Sequence, residues 1–199
     1  MNFRFDPHRA GHAVLLAMDA GKCWESKDGL KTWVFHGHEP WPWGGGNDAT
    51  FAGDTVYATT GQFGGNASIL RTTDGQAWVT LAGKAHGLPP FQGGGEAKRI
   101  YALPDDPKSV WAVVRERLYH STDGGEHWKV VHRGPGLAWI AADPKQPRRF
   151  YVSGAKNVYR TEDGAKFTPI GGPHVAGRIA CDSPGRLYVA AWRGQRAGL

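Results

Sequence analysis

Ser121-Thr122-Asp123-Gly124-Gly125-Glu126-His127-Trp128 (STDGGEHW) is the stretch on which the fold turns, because the same phrase returns three more times. The other copies are SKDGLKTW (Ser26–Trp33), TTDGQAW (Thr72–Trp78) and TEDGAKF (Thr161–Phe167). Their aspartates, Asp28, Asp74, Asp123 and Asp163, are 46, 49 and 40 residues apart, a period that fits one four-stranded blade per copy. The chemistry inside each copy is that of a turn. The hydroxyl of Ser26, Thr72, Ser121 or Thr161 and the following carboxylate can bond the turn's own backbone, and the closing Trp33, Trp78, Trp128 or Phe167 packs the turn down. These aspartates therefore read as fasteners rather than catalysts, and the pattern lacks the alternate oxygen ligands of a calcium loop.

Strand signals surround each copy. In the third unit KRIYALP, SVWAVV, RLYHS and HWKVVH are short runs rich in Val, Tyr and Trp, bounded by turn residues. The fourth unit repeats the order with LAWIAA, RFYVSG, NVYRT and KFTPI. Asp6-Pro7, Asp106-Pro107 and Asp143-Pro144 follow first strands, where proline stops the strand and sets up a turn. No segment holds a 3.6-residue apolar period, so no helix is predicted. The expectation is an all-β fold, a β-propeller of four-stranded antiparallel blades at about 1–36, 47–82, 97–133 and 137–171, with a partial fifth at 177–199. Four and a half blades predict an incomplete propeller, with open sheet edges that invite self-association or further C-terminal blades.

Composition bounds the rest. The 199 residues suit one domain, with 40% hydrophobic and 12% aromatic residues marking a packed chain with many turns. The net charge of +6 is mostly scattered and reads as a solvated surface; charge alone also admits nucleic acid or an acidic polysaccharide, but no nucleic-acid partner is expected. Cys23 and Cys181 are too few for a disulfide framework and have no zinc spacing. No apolar run is long enough to span a membrane and no signal peptide is visible, which predicts a cytoplasmic protein if the N-terminus is native.

The pattern S/T-x-D-G-x-x-x-W resembles the Asp-box, or bacterial neuraminidase repeat, of the sialidase-like β-propellers, and the resemblance covers nearly the whole chain. Two copies have full length; TTDGQAW and TEDGAKF are one residue short, which predicts distorted turns. The superfamily includes sialidases, xyloglucan-cleaving enzymes of glycoside hydrolase family 74, sortilin-type receptors and a photosystem II assembly factor, so the box implies a fold and not one function. Among these the chain is most similar to the family 74 enzymes. In AMDAGKCWES the resemblance implies a catalytic base at Asp19, although Ala20 stands where the family has the first of two glycines. No counterpart of the family's second carboxylate is present. Arg99, Arg133 and Arg178 lie near unit starts as sialidase arginines would, but the early arginine motif is absent.

The boxes occupy one face of a propeller, so functional residues are expected on the opposite loops. VFHGHEPWPWGGGND brings Trp41, Trp43 and Asp48, LAGKAHGLPPFQGGGEAKR brings Phe91, Glu96 and Arg99, and the second-to-third loops bring Asp19 and Phe63. Aromatic rings among acids suit a polysaccharide, because flat sugar faces stack on rings while carboxylates bond hydroxyls. Glycoside hydrolysis needs two such acids, for which Asp19, Asp48 and Glu96 are the candidates. Trp41, Trp43, Phe63, Phe91 and Arg99 are the candidate binding residues. The alternative is that Trp41 and Trp43 merely cover blade ends. His36 and His38 alone are too few for a metal, and no cofactor is expected. The expected ligand is a polysaccharide such as a β-glucan or xyloglucan, with a non-catalytic protein-binding scaffold as the competing class.

Overall fold

A computed structural model describes residues 2–17, 23–36, 41, 46–60, 69–81, 83–90, 97–171 and 177–190. Apart from one 3-10 turn, Lys84–His86, every element among them is a strand. The first sheet has β1 (Asn2–Phe5), β2 (Ala13–Leu16), β3 (Cys23–Ser26) and β4 (Val34–His36) in sequence order. The second repeats this with β5 (Gly46–Ala52), β6 (Thr55–Thr60), β7 (Ile69–Thr72) and β8 (Val79–Thr80). The third contains β9 (Ala97–Leu103), β10 (Asp106–Val114), β11 (Arg117–Ser121) and β12 (Lys129–Arg133). The fourth contains β13 (Trp139–Asp143), β14 (Gln146–Ser153), β15 (Val158–Thr161) and β16 (Thr168–Pro169), and β17 (Arg178–Cys181) pairs with β18 (Leu187–Ala190). These are the antiparallel blades of a β-propeller, four complete and one partial, as the box spacing predicts.

The chain divides into two compact units, residues 1–114 with 120–129, and residues 115–119 with 130–199. In the first, β2, β3, β5, β6 and β7 bury Val14, Leu16, Cys23, Ala49, Phe51, Val56, Ala58 and Leu70 together with Trp41, and Trp78 packs on this cluster. Full burial of one such side chain is worth about 1.5–3 kcal/mol. Gly46 lies so close to β2 that a Cβ there would come within 2.7 Å of Leu16 Cδ2, which fixes how tightly β5 seats on the first sheet. In the second unit Tyr151, Val158 and Ile179 are the buried centre, flanked by Trp139, Ala141, Cys181, Leu187 and Val189. Both β8 and β16 are two residues long and exposed, and β16 contains Pro169, so these outer edges are too short to template another strand.

All four boxes form the expected hub. Ser26, Thr72, Ser121 and Thr161 each donate to the carboxylate two residues on, at 2.8–3.1 Å. Distortion of the short copies does not occur; they slide the hub by one residue instead. In the full-length copies the hydroxyl accepts from the fourth residue on, Leu30 or Gly125, and in the short ones from the third, Gly75 or Gly164. The extra residue is taken up in a second left-handed position, Leu30 (φ 69°) or Gly125 (φ 93°).

The Asp-Pro pairs need one correction. Asp6, Asp106 and Asp143 all accept from the backbone N–H two residues on. At 106–107, however, the pair opens β10 instead of ending β9, because the turn falls at Pro104-Asp105 and a bulge follows between Asp106 and Val110.

Candidate functional site

Asp48 and Arg99, two of the predicted site residues, do come together. Asp48 is buried near the start of β5, between Arg4 of β1 and Arg99 of β9. Its Oδ2 also accepts from the Ile100 backbone N–H at 3.3 Å. Burial pushes the carboxyl above the ordinary aspartate range, against the pull of Arg4 and Arg99. Asn47 extends the contact by donating to the Ala97 carbonyl. A carboxylate held this way joins the first strands of three consecutive sheets and is buried away from any sugar at the surface.

Trp41 is also corrected. As a sugar platform it needs an open ring face, yet it is 2% exposed and meets Trp78 edge-on at 4.9 Å within the core. Asp19, Trp43, Phe63, Phe91 and Glu96 lie outside the described residues.

Two groupings escape the sequence reading. One is a buried relay in the first unit. His12 Nδ1 faces Asp6 Oδ2 at 2.7 Å, His12 Nε2 faces Glu25 Oε1 at 2.8 Å, and His36 Nε2 faces Glu25 Oε2 at 3.1 Å. Desolvation opposes ionisation of Glu25, but hydrogen bonds from His36 and His12 prevail and hold its carboxyl below the ordinary range. A cleft of about 160 Å³ reaches the relay past Arg9, Lys27, Asp54 and Asp74. Each of its carboxylates is already engaged: Glu25 by two imidazoles, Asp54 by Arg9, and Asp74 by its box. Among the described residues no three or more acidic, His or Cys side chains are grouped to hold a metal.

The other grouping is in the second unit, at the end of β11 and β12 away from the box turn. Arg115, Glu116, Arg117, Arg133, Gly134 and Pro135 line an open cleft of about 450 Å³. Arg115 and Glu116 form the two-residue turn before β11 with φ of 45° and 59°. Such a turn favours Asn-Gly, and placing side chains there costs roughly 1–2 kcal/mol per residue. Sequence reasoning passed over it because the turn has no glycine to mark it. Among the described residues neither Arg117 nor Arg133 enters an ion pair, so two exposed guanidinium groups face the cleft beside Arg115.

No family model matches this chain, and no curated protein is similar to it in sequence. Solved structures do resemble it. A propeller described as "YCF48 bound to D1 peptide" aligns with a TM-score of 0.65 and 18% identity, over 96% of this chain and 60% of its own. The glycoside hydrolase family 74 enzyme of Niastella koreensis aligns at 0.70 and 18% identity, over 95% of this chain and 32% of its own. The family 74 xyloglucanase of Xanthomonas campestris aligns at 0.66 and 22% identity, over 89% and 31%. This chain thus spans three fifths of the first and about a third of the other two. At such identities the likeness is one of fold: the chain shares the propeller architecture of a peptide-bound protein and of polysaccharide-acting enzymes alike.

Proposed function

We propose that this chain is a binding propeller that holds an acidic polypeptide segment of a protein partner in the Arg115–Arg117–Arg133 cleft. The observation that carries the reading is the cleft itself, where the exposed side chains of Arg117 and Arg133 stand with Arg115 beside the carboxylate of Glu116. Guanidinium forks pair with carboxylates through two parallel hydrogen bonds, so an Asp/Glu-rich segment has the matching charge and geometry. A propeller solved with a bound peptide is among the structures whose fold this chain resembles. The polysaccharide reading loses Trp41 to the core and Asp48 to its arginines.

Fluorescence anisotropy with a labelled Asp/Glu-rich peptide tests the proposal, alongside β-glucan and xyloglucan assayed for binding and for reducing-end release. Saturable peptide binding is expected, weakened tenfold or more in the exposed double variant Arg117→Ala/Arg133→Ala and weakened again by added salt. Peptide binding unchanged by the double variant refutes the site. Glucan cleavage abolished by Asp19→Asn replaces the reading with the hydrolase.

A further inference from the structure

The buried relay holds more titratable groups than a structural contact needs. His12 lies between two acids, with both ring nitrogens at hydrogen-bonding distance from carboxylate oxygens, 2.7 Å to Asp6 and 2.8 Å to Glu25. A neutral imidazole has one N–H and one lone pair. Two deprotonated carboxylates and a neutral His12 would set that lone pair against a carboxylate oxygen in a buried site. The short geometry on both sides therefore requires one further proton in the Asp6–His12–Glu25 set, whichever atom carries it.

The relay sits where the first sheet meets the second. His12 packs edge-on against Phe51 of β5 at 4.9 Å, and His36 against Trp78 at 5.9 Å. Glu25 reaches the second box, where a Cβ on Gly75 would be 3.0 Å from Oε2. The other charged groups around the relay are Arg9, 3.6 Å from Asp6, and Lys27, 3.5 Å from Glu25, with Asp54 and Asp74 across the cleft. Cys23, beside Glu25, has its thiol pushed up by burial and by that carboxylate, and stays protonated. The cleft gives solvent access to His12 and Glu25, so the proton can exchange without unfolding.

We infer that the Asp6–His12–Glu25–His36 relay is a proton-dependent latch: it ties the β1–β2 turn to β3 and β4, beside the second sheet, while the Asp6–His12–Glu25 set holds its further proton, and it loosens when a rise in pH removes that proton. The sign follows from proton counting. The latched state keeps a proton that the released chain gives up as the pH rises, so its stability falls as pH rises. Burial lowers the affinity of His120 and His132 for a proton, and these two act in the opposite direction. Only a difference between proteins therefore isolates the latch.

The decisive comparison is the thermal midpoint of the wild type and of His12→Gln at pH 6 and pH 8. The wild type is expected to lose about 5 °C more than the variant over this interval. Hydrogen exchange, corrected for intrinsic rate, should place the loss of protection in β1–β4. A variant with the same pH dependence as the wild type overturns the inference. Should His12→Gln not fold, ring ¹⁵N shifts of the folded wild type decide: both nitrogens of His12 protonated at pH 6 support the latch, and one bare nitrogen with no proton on Asp6 or Glu25 refutes it.

Discussion

Leu30 occupies a left-handed backbone position, φ 69°, that its counterpart in the third box fills with Gly125. An L-residue with a Cβ pays about 1–2 kcal/mol there, partly offset by the wider freedom glycine has when unfolded. Leu30→Gly is therefore expected to raise stability by about 0.5–1 kcal/mol in denaturant unfolding; a loss of similar size would mean that the half-exposed side chain contributes packing. The box carboxylates make a second residue-scale prediction. Asp28 is held down to about 2, first by the Thr32 side chain and backbone, and hydrogen bonds from His127 and Ser121 hold Asp123 lower still. Because their folded values are depressed, what they contribute is complete above the ordinary aspartate range near 4 and is lost as pH falls toward about 2. The thermal midpoint should drop over that interval, and Asp28→Asn should make the drop shallower.

Among the elements, the first and second sheets each engage the next through the residue before the box. Arg71 closes β7 against the third box, donating to the Gly124 carbonyl at 2.7 Å and to Glu126 at 2.9 Å. Glu25 holds the corresponding place on β3 and reaches Gly75 of the second box. Arg71→Ala is expected to cost about 2 kcal/mol, and Arg71→Lys should recover less than half of it, because an ammonium cannot span both acceptors. A neutral result for Arg71→Ala would remove this contact from the account of how the sheets are joined. The boxes were legible in the sequence because their partners are two to four residues apart, so spacing alone encodes the hydrogen bonds. Sheet order was legible for the same reason: each strand pairs with its chain neighbour. What sequence reading missed is non-local. The fate of Trp41 is decided by Trp78, and the role of Glu25 by His12 and His36. Arg4, Asp48 and Arg99 carried a usable signal, alternating charge on the first strands of successive repeats, which goes unseen when each repeat is read alone.

For the whole molecule, a scaffold of recurrent turns and short strands leaves chemistry to the connections between them. In the described part of the first unit, acids and imidazoles are engaged with the scaffold itself: Asp48 across the first strands of three sheets, and Asp6 and Glu25 on His12 within the first sheet. In the second unit the strained Arg115-Glu116 turn and Arg133 instead gather cationic charge at an open cleft. On that contrast rests the proposal that the chain recognises an acidic segment. Mapping the amide shifts of the labelled protein during titration with the Asp/Glu-rich peptide tests this most directly. Perturbations centred on residues 115–117 and 133–136 that fade with added salt are the predicted outcome; shifts confined to other residues, or produced by a glucan oligosaccharide and not by the peptide, would contradict it.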